Sequence, residues 1–261
     1  MDIATLVGLI MGFGAVIGGQ LLEGGHLSAL LQPTAAVIVL GGTIGATLVS
    51  FPVQDLLRAL RSAATAFFHQ EDNPEDLIGK LIGFAITARK NGLITLEQDA
   101  QWVKDRFLGQ GLEMVVDGLD PEEVLAVLQI ELTNFEERQK INAEVFEAAG
   151  GFAPTIGIIG AVLGLIHVMN NLSDTSRLGA GIAVAFVATI YGLMVANIIC
   201  IPISTKLRKR LKEQILQREI AIEGLLAIQK GENPRMIEKR LRGFTLTSGV
   251  LLYSRGGGGG A

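Results

Sequence analysis

The sequence predicts an all-α membrane protein: four transmembrane helices, a helical cytoplasmic insert between the second and the third, and a helical C-terminal tail. Three observations carry this. Four stretches, residues 3–22, 33–51, 152–171 and 178–203, contain no Lys, Arg, Asp or Glu, and roughly 20 apolar residues are what a helix needs to cross about 30 Å of hydrocarbon. Between and after them, apolar residues recur at three and four, and no segment shows the alternation of a strand. The basic residues are segregated. Of the 22 Lys and Arg, nine lie in residues 52–151, twelve lie after residue 203, and only Arg177 falls in a connection between spans. By the positive-inside tendency the basic side is the cytoplasm, so both termini are cytoplasmic.

The expected division is 1–51 for the first two spans, 52–151 for the cytoplasmic domain and 152–203 for the last two spans. Residues 204–243 then form cytoplasmic helices, and 244–261 a flexible tail that ends in glycines. The N-terminus lacks a basic leader and a small-residue cleavage site, so the first apolar stretch reads as a retained span. The spans carry small residues four apart: Gly8/Gly12, Gly14/Gly18, Gly41/Gly45 and Gly160/Gly164. Such stripes let backbones approach closely where lipid provides no hydrophobic drive, either within one chain or between copies.

In the insert, Leu56, Leu57 and Leu60, then Leu77, Leu81 and Phe84, then Val124, Leu125 and Leu128 mark amphipathic helices. Asn73-Pro74-Glu75-Asp76 and Asp120-Pro121-Glu122-Glu123 each combine a capping side chain, a proline at the first helical position and acids in the first turn. Asn91-Gly92 ends a helix, Thr95 to Gln98 reads as a capping box for the next, and Asn233-Pro234 opens a short helix. Pro154 is either a helix start or a bend. Pro202 is a bend, because the helical pattern runs on into Lys206, Arg208, Lys209, Arg210 and Lys212, a basic run suited to anionic headgroups. The two prolines would form a collar at one membrane depth.

The chemistry is sparse. A net charge of -4 excludes a phosphate-neutralising face, so no nucleic acid is expected. One cysteine, Cys200, and three scattered histidines, His26, His69 and His167, offer no metal cluster. No phosphate loop, nucleophile elbow or paired-histidine motif occurs; neither an enzyme nor a cofactor is expected. Ion-moving proteins keep an ionisable group at membrane depth. Here the spans hold no Asp, Glu, Lys or Arg; the polar candidates taken from them are His167 and the hydroxyls of Thr43, Thr47, Thr155, Thr189 and Tyr191. Either the chain moves no ions, or another polypeptide brings the carboxylate.

Several stretches in this order resemble the MotA/PomA family of flagellar stator subunits. They are Gly41-Gly42-Thr43, the run from Ala88-Arg89-Lys90-Asn91-Gly92 to Leu96-Glu97, Val116-Asp117-Gly118, and Ala153-Pro154-Thr155-Ile156-Gly157-Ile158-Ile159-Gly160. Ala183 to Gly192 and Gly224 to Arg235 complete the set. The resemblance spans residues 2 to about 242 and stops short of the tail. It implies a bacterial inner-membrane homo-oligomer of five copies around two copies of a MotB/PomB-type single-span partner, whose membrane aspartate supplies the missing carboxylate. It also implies that cytoplasmic charges push the rotor protein FliG: Arg89 and Glu97, with Lys90 in addition. Pro154 and Pro202 match the family's two functional prolines. The ion path would be lined by Thr155, Ala161, Thr189 and Tyr191. Sodium-type relatives carry a hydroxyl where this chain has Ala161. Sodium favours oxygen ligands, so the expectation is proton coupling. The alternatives are an ExbB/TolQ-like energising subunit, which would have three spans, and a non-conducting scaffold.

Overall fold

The computed structural model describes residues 3–68, 73–170 and 175–256. Every regular element among them is helical: α1 (Ile3–Leu22), α2 (Leu27–Leu30), α3 (Pro33–Ala36), α4 (Gly42–Ser50), α5 (Val53–Phe68), α6 (Pro74–Asn91), α7 (Glu97–Trp102), α8 (Arg106–Val116), α9 (Pro121–Asn170), α10 (Thr175–Met194), α11 (Ile201–Gln229) and α12 (Pro234–Gly256). Two π-helical turns, Val37–Gly41 and Val195–Cys200, join α3 to α4 and α10 to α11, and a 3-10 turn, Leu93–Leu96, precedes α7. Four helical runs are long and apolar enough to span a membrane: Ile3–Leu22, Leu27–Ser50, and stretches within Pro121–Asn170 and Gly181–Gln229.

The chain folds as two units. The first takes residues 1–70 and 138–210 and holds the four spans. Its interior is small: Ala35, Val39, Val187 and Ala188 close one cluster, and Ala143 with Leu207 another. Helix α1 buries none of its residues. Below the third span, Ser62 of α5 accepts a hydrogen bond from the buried Asn142 amide at 3.0 Å, and Arg208 pairs with Glu147.

The second unit takes residues 71–137 and 211–261. Its core is aliphatic. Ile78 and Leu81 of α6, Leu96, Leu108 and Leu112 of α8, Leu128 of α9, Ile220 and Leu225 of α11, and Ile237 and Leu241 of α12 are each no more than 2% exposed. Removing a side chain of this size from water stabilises by about 1.5–3 kcal/mol. The Arg218 guanidinium of α11 stacks between Phe135 and Phe107, with its carbon 3.8 and 4.6 Å from the ring centroids. Burial pushes its pKa down, against the opposing pull of Asp105 and Glu131. The caps form at Asn73, whose side chain accepts from the Glu75 N–H, and at Asp120, which accepts from that of Glu122.

Four expectations are corrected. Pro154 is no helix start, because α9 runs unbroken for 50 residues through it. The capping box at Thr95 is absent: its hydroxyl donates to the Gly92 carbonyl at 2.7 Å, and the helix opens at Leu96 with no side-chain cap. Within the tight 3-10 turn, that nearby carbonyl outcompetes the more distant amide as a partner. The helix opened by Asn233-Pro234 is not short but 23 residues long. It therefore carries residues 244–256 of the expected flexible tail as helix, a stretch that contains no proline to stop it. His69, the third span's last residue Asn171, the connection at 172–174 and residues 257–261 lie outside the described residues.

Candidate functional site

The third and fourth spans meet along a seam of glycines. A Cβ at Gly157 would sit 2.9 Å from the Ala188 carbonyl oxygen, and one at Gly164 would sit 2.9 Å from the Ala185 nitrogen. At Gly160 it would lie 2.8 Å from the Ala188 Cβ, and at Gly192 2.5 Å from the Ala153 carbonyl oxygen. These helices touch backbone to backbone, which only a residue without a side chain permits. The second span joins them: a Cβ at Gly42 would lie 2.8 Å from Ile156 Cγ2.

The polar residues distribute unequally around the seam. Thr189 is half-buried and its hydroxyl donates to the Ala185 carbonyl at 3.4 Å, while Ala161 is half-buried at the seam's edge, four residues from Gly157. Thr155 lies on the reverse face of the third span, two residues from Gly157; it is exposed, and its hydroxyl donates to the Phe152 carbonyl. The Tyr191 hydroxyl is taken up within the chain: it donates to the Leu30 carbonyl and accepts from the Gln32 N–H, fastening the connection between the first two spans. The structure therefore brings Ala161 and Thr189 to the seam and sets Thr155 and Tyr191 apart from it. Thr47 donates to the Thr43 carbonyl at 2.7 Å, and the buried Thr43 hydroxyl has no partner among the described residues. His167 is exposed on the third span.

A residue that the sequence reading passed over stands out here. Ile182, Phe186, Leu193 and Asn197 are all exposed on the fourth span, with Thr189 between them. Spacings of three and four put them on one face. Asn197 lies inside the π turn Val195–Cys200, and its amide donates to the Leu193 carbonyl at 3.0 Å, leaving its oxygen free to accept. A polar amide on a lipid-depth face is costly unless protein or water meets it. Its signal in the sequence was an Asn within an otherwise apolar run.

The prolines lie close in level. A Cβ at Gly150, one turn before Pro154, would be 3.0 Å from Ile201, the neighbour of Pro202. Just before Pro202 the Ile201 N–H reaches back five residues to the Ala196 carbonyl. The ladder is thus already widened where it meets a residue with no N–H to give, so the helix continues past proline.

In the second unit, Arg89 and Lys90 stand in the last turn of α6 and Glu97 opens α7; all three are exposed. Cations at a helix C-terminus and an acid at an N-terminus suit the backbone dipoles. Gly92 makes the turn between them with φ 88 and ψ 159, a conformation that is essentially glycine's alone. Arg89, Lys90 and Glu97 pair with no described residue, whereas Arg240 meets Glu223 and Glu232 at 2.8 Å, and Arg242 meets Glu238 at 3.1 Å. Hydrogen bonds that Arg240 donates to the Glu223 and Glu232 carboxylates hold its pKa above its ordinary value. Among the described residues no group of three or more His, Cys, Asp or Glu is placed to hold a metal.

Comparison with known proteins matches residues 99–220 to the MotA/TolQ/ExbB proton channel family and residues 6–92 to the Motility protein A N-terminal family. The chain is 37% identical over 244 residues to the chemotaxis protein PomA of Vibrio alginolyticus, covering 94% of this chain and 95% of that one. It is 36% identical to motility protein A of Bacillus subtilis, covering 92% and 90%. Its fold matches the C. jejuni MotAB structure with a TM-score of 0.89 at 30% identity, over 94% of this chain and 96% of that one. The flagellar MotAB stator complex of Bacillus subtilis matches with a TM-score of 0.84 at 35% identity, over 90% and 93%.

Proposed function

The chain belongs to the MotA/TolQ/ExbB proton channel family, and from that premise we propose that it is the ion-conducting stator subunit of a bacterial flagellar motor, working with a MotB-type single-span partner. One observation carries the reading. The spans supply hydroxyls, an amide and a closely packed glycine seam but no carboxylate, and ion passage needs an ionisable group at depth. A partner's membrane aspartate answers that need, and the similar solved structures are MotAB assemblies. Four candidate spans weigh against the three-span ExbB/TolQ-like alternative.

In this reading five copies ring two partner copies in the bacterial inner membrane. Residues 1–51 and 152–203 lie in the bilayer, with 52–151, 204–243 and both termini on the cytoplasmic side. Each ion loads the partner's aspartate beside Ala161, Thr189 and Asn197. The seam at Gly160 and Gly164 keeps the third and fourth spans together while Pro154 and Pro202 flex. Arg89, Lys90 and Glu97 then push charges on FliG. The scales agree: one charge crossing about 100 mV releases roughly 2.3 kcal/mol, and two unit charges about 4 Å apart in water interact by about 1 kcal/mol. One ion thus supplies enough to move a contact or two, which suits a stepping ring.

The test is co-expression with the partner in a flagellated cell lacking its own stator. Wild type restores swimming, and Arg89→Glu or Glu97→Lys impairs it while the complex remains in the membrane. Normal swimming in both reversals would remove the rotor-facing assignment. The coupling ion is the proton, because Ala161 withholds an oxygen that a dehydrated sodium site would use. Swimming speed is therefore expected to stay constant when sodium replaces potassium at fixed proton-motive force; a rise with sodium would overturn proton coupling.

A further inference from the structure

Four hydroxyls of the spans stay on their own helix: Thr47, Ser50, Thr155 and Thr189 each donate to a carbonyl three or four residues back. Tyr191 reaches further. Its hydroxyl donates to the Leu30 carbonyl and accepts from the Gln32 N–H at 3.4 Å. Leu30 ends α2, and Gln32 is the N-cap of α3. The last carbonyls of a helix and its first N–H groups have no intrahelical partner. One phenol on the fourth span thus caps both ends of the break between α2 and α3. Its ring packs on the cluster of Ala35, Val39, Val187 and Ala188, which joins the second span to the fourth.

The fourth span therefore has three sides. Ala185, Ala188 and Gly192 meet the third span at the glycine seam. Val187 and Tyr191, four residues apart, meet the second span and the break before it. Phe186, Leu193 and Asn197 are exposed on the remaining side, with the half-buried Thr189 between them. The seam sets glycine against methyl and backbone, which fixes how near the helices lie but puts no bulky side chain in the way of a turn about the helix axis. The hydrogen bonds of Tyr191 are directional and resist that turn. A helix with its side chains is about 10–12 Å across, so a turn of about 20° carries a surface oxygen about 2 Å, enough to make or break a hydrogen bond. We infer that Tyr191 is a positioning residue: by tying the fourth span to the break between α2 and α3 it fixes the rotation of that span, and with it the place at which the Thr189 hydroxyl meets the partner's carboxylate. The inference rests on the reading of Thr189 as part of the ion path. Tyr191 acts through Thr189 from the far side of the helix, two residues and about 200° away.

The experiment uses the full complex in cells in which wild type swims, read one complex at a time. The step in motor speed as each complex joins the rotor gives the output per complex, whatever the abundance. Tyr191→Phe keeps the ring in its cluster and removes both hydrogen bonds. It is expected to lower the step about tenfold, to move the external pH of the half-maximal step in the same direction as Thr189→Val does, and to raise amide exchange at Gln32. The double variant is expected to be no worse than Thr189→Val alone, because the one residue acts through the other. A wild-type step and pH profile in Tyr191→Phe would overturn the inference even where exchange at Gln32 rises. So would a lower step with an unmoved pH profile, additive losses in the double variant, or absence of the complex from the membrane, each of which makes the bonds structural only. If Thr189→Val itself leaves step and profile unchanged, the ion-path reading of Thr189 fails; if it changes them and Tyr191→Phe does not, the positioning role fails alone.

Discussion

The two units hold together by opposite means. In the spans the close contacts are made by what is missing: Gly157, Gly164 and Gly192 bring backbone within van der Waals reach of backbone and Gly160 makes room for the Ala188 methyl, while Ile158, Ile159, Val162, Leu163, Leu165 and Ile166 stay exposed. In the second unit the contacts are made by bulk: Leu96, Leu112, Leu128, Leu225 and Leu241 interdigitate with none left exposed. The solvent explains the difference. Lipid is as apolar as leucine, so burying a leucine in the bilayer gains little and close van der Waals packing decides. In water the gain is roughly 25 cal/mol per Å² of apolar area removed, so large side chains go inside. Enlarging a residue should therefore break the spans, and shrinking one should break the cytoplasmic unit.

The largest effect is expected from Gly192→Val. Its Cβ would fall 2.5 Å from the Ala153 carbonyl oxygen, an atom of rigid helix backbone. The spans must separate, the seam is lost, and no motility or detergent-stable complex should be recovered. Wild-type complex yield from this variant would show that the seam does not hold the spans. Leu112→Ala comes next. Leu112 is fully buried and its truncation leaves a cavity, costing about 2–5 kcal/mol. Limited proteolysis should then cut within residues 71–137 while spans and partner still co-purify. Loss of the whole complex would show that the two ways of holding together are not separable.

Gly92→Ala tests the turn that presents the charges. At φ 88 a Cβ is strained, so about 1–3 kcal/mol of local destabilisation follows although no neighbour obstructs it. Swimming should slow without loss of the complex, and hydrogen exchange should rise at Leu93–Leu96. Unchanged exchange would mean that the turn adapts to a side chain.

How much of this was legible beforehand follows the same division. The spans were legible because a run of about 20 residues without charge has few other uses. The caps at Asn73 and Asp120 were legible because they are local chemistry. The unbroken course of α9 through Pro154 was not: a proline reads as a start or a bend, and only the surrounding packing decides that the helix continues. Thr95 misled because its hydroxyl had two partners in reach and a sequence does not rank them. At the candidate site, Gly160 and Gly164 were visible as a stripe, yet their partners Ala188 and Ala185 were not. Arg89, Lys90 and Glu97 look like any solvated helix face; the resemblance singled them out, and that they pair with no described residue emerges only in three dimensions. Asn197 was missed because one amide in an apolar run reads as a tolerated exception until its face is seen to be exposed.

The smallest effect is expected at Gly14 and Gly45, and it sharpens the comparison most. Both belong to small-residue stripes like that of Gly160 and Gly164, yet a Cβ at either meets nothing within 4 Å. Within one chain, Gly14→Ala and Gly45→Ala should change stability by no more than about 0.5 kcal/mol, because a methyl group is added to an unopposed helix face. If the yield of assembled complex is also unchanged, these glycines face lipid and their spacing is incidental. If the alanine variants lose assembly while the single chain stays folded, the same device that joins the third span to the fourth also joins one copy to the next. The glycines without neighbours would then trace where the neighbouring copy lies.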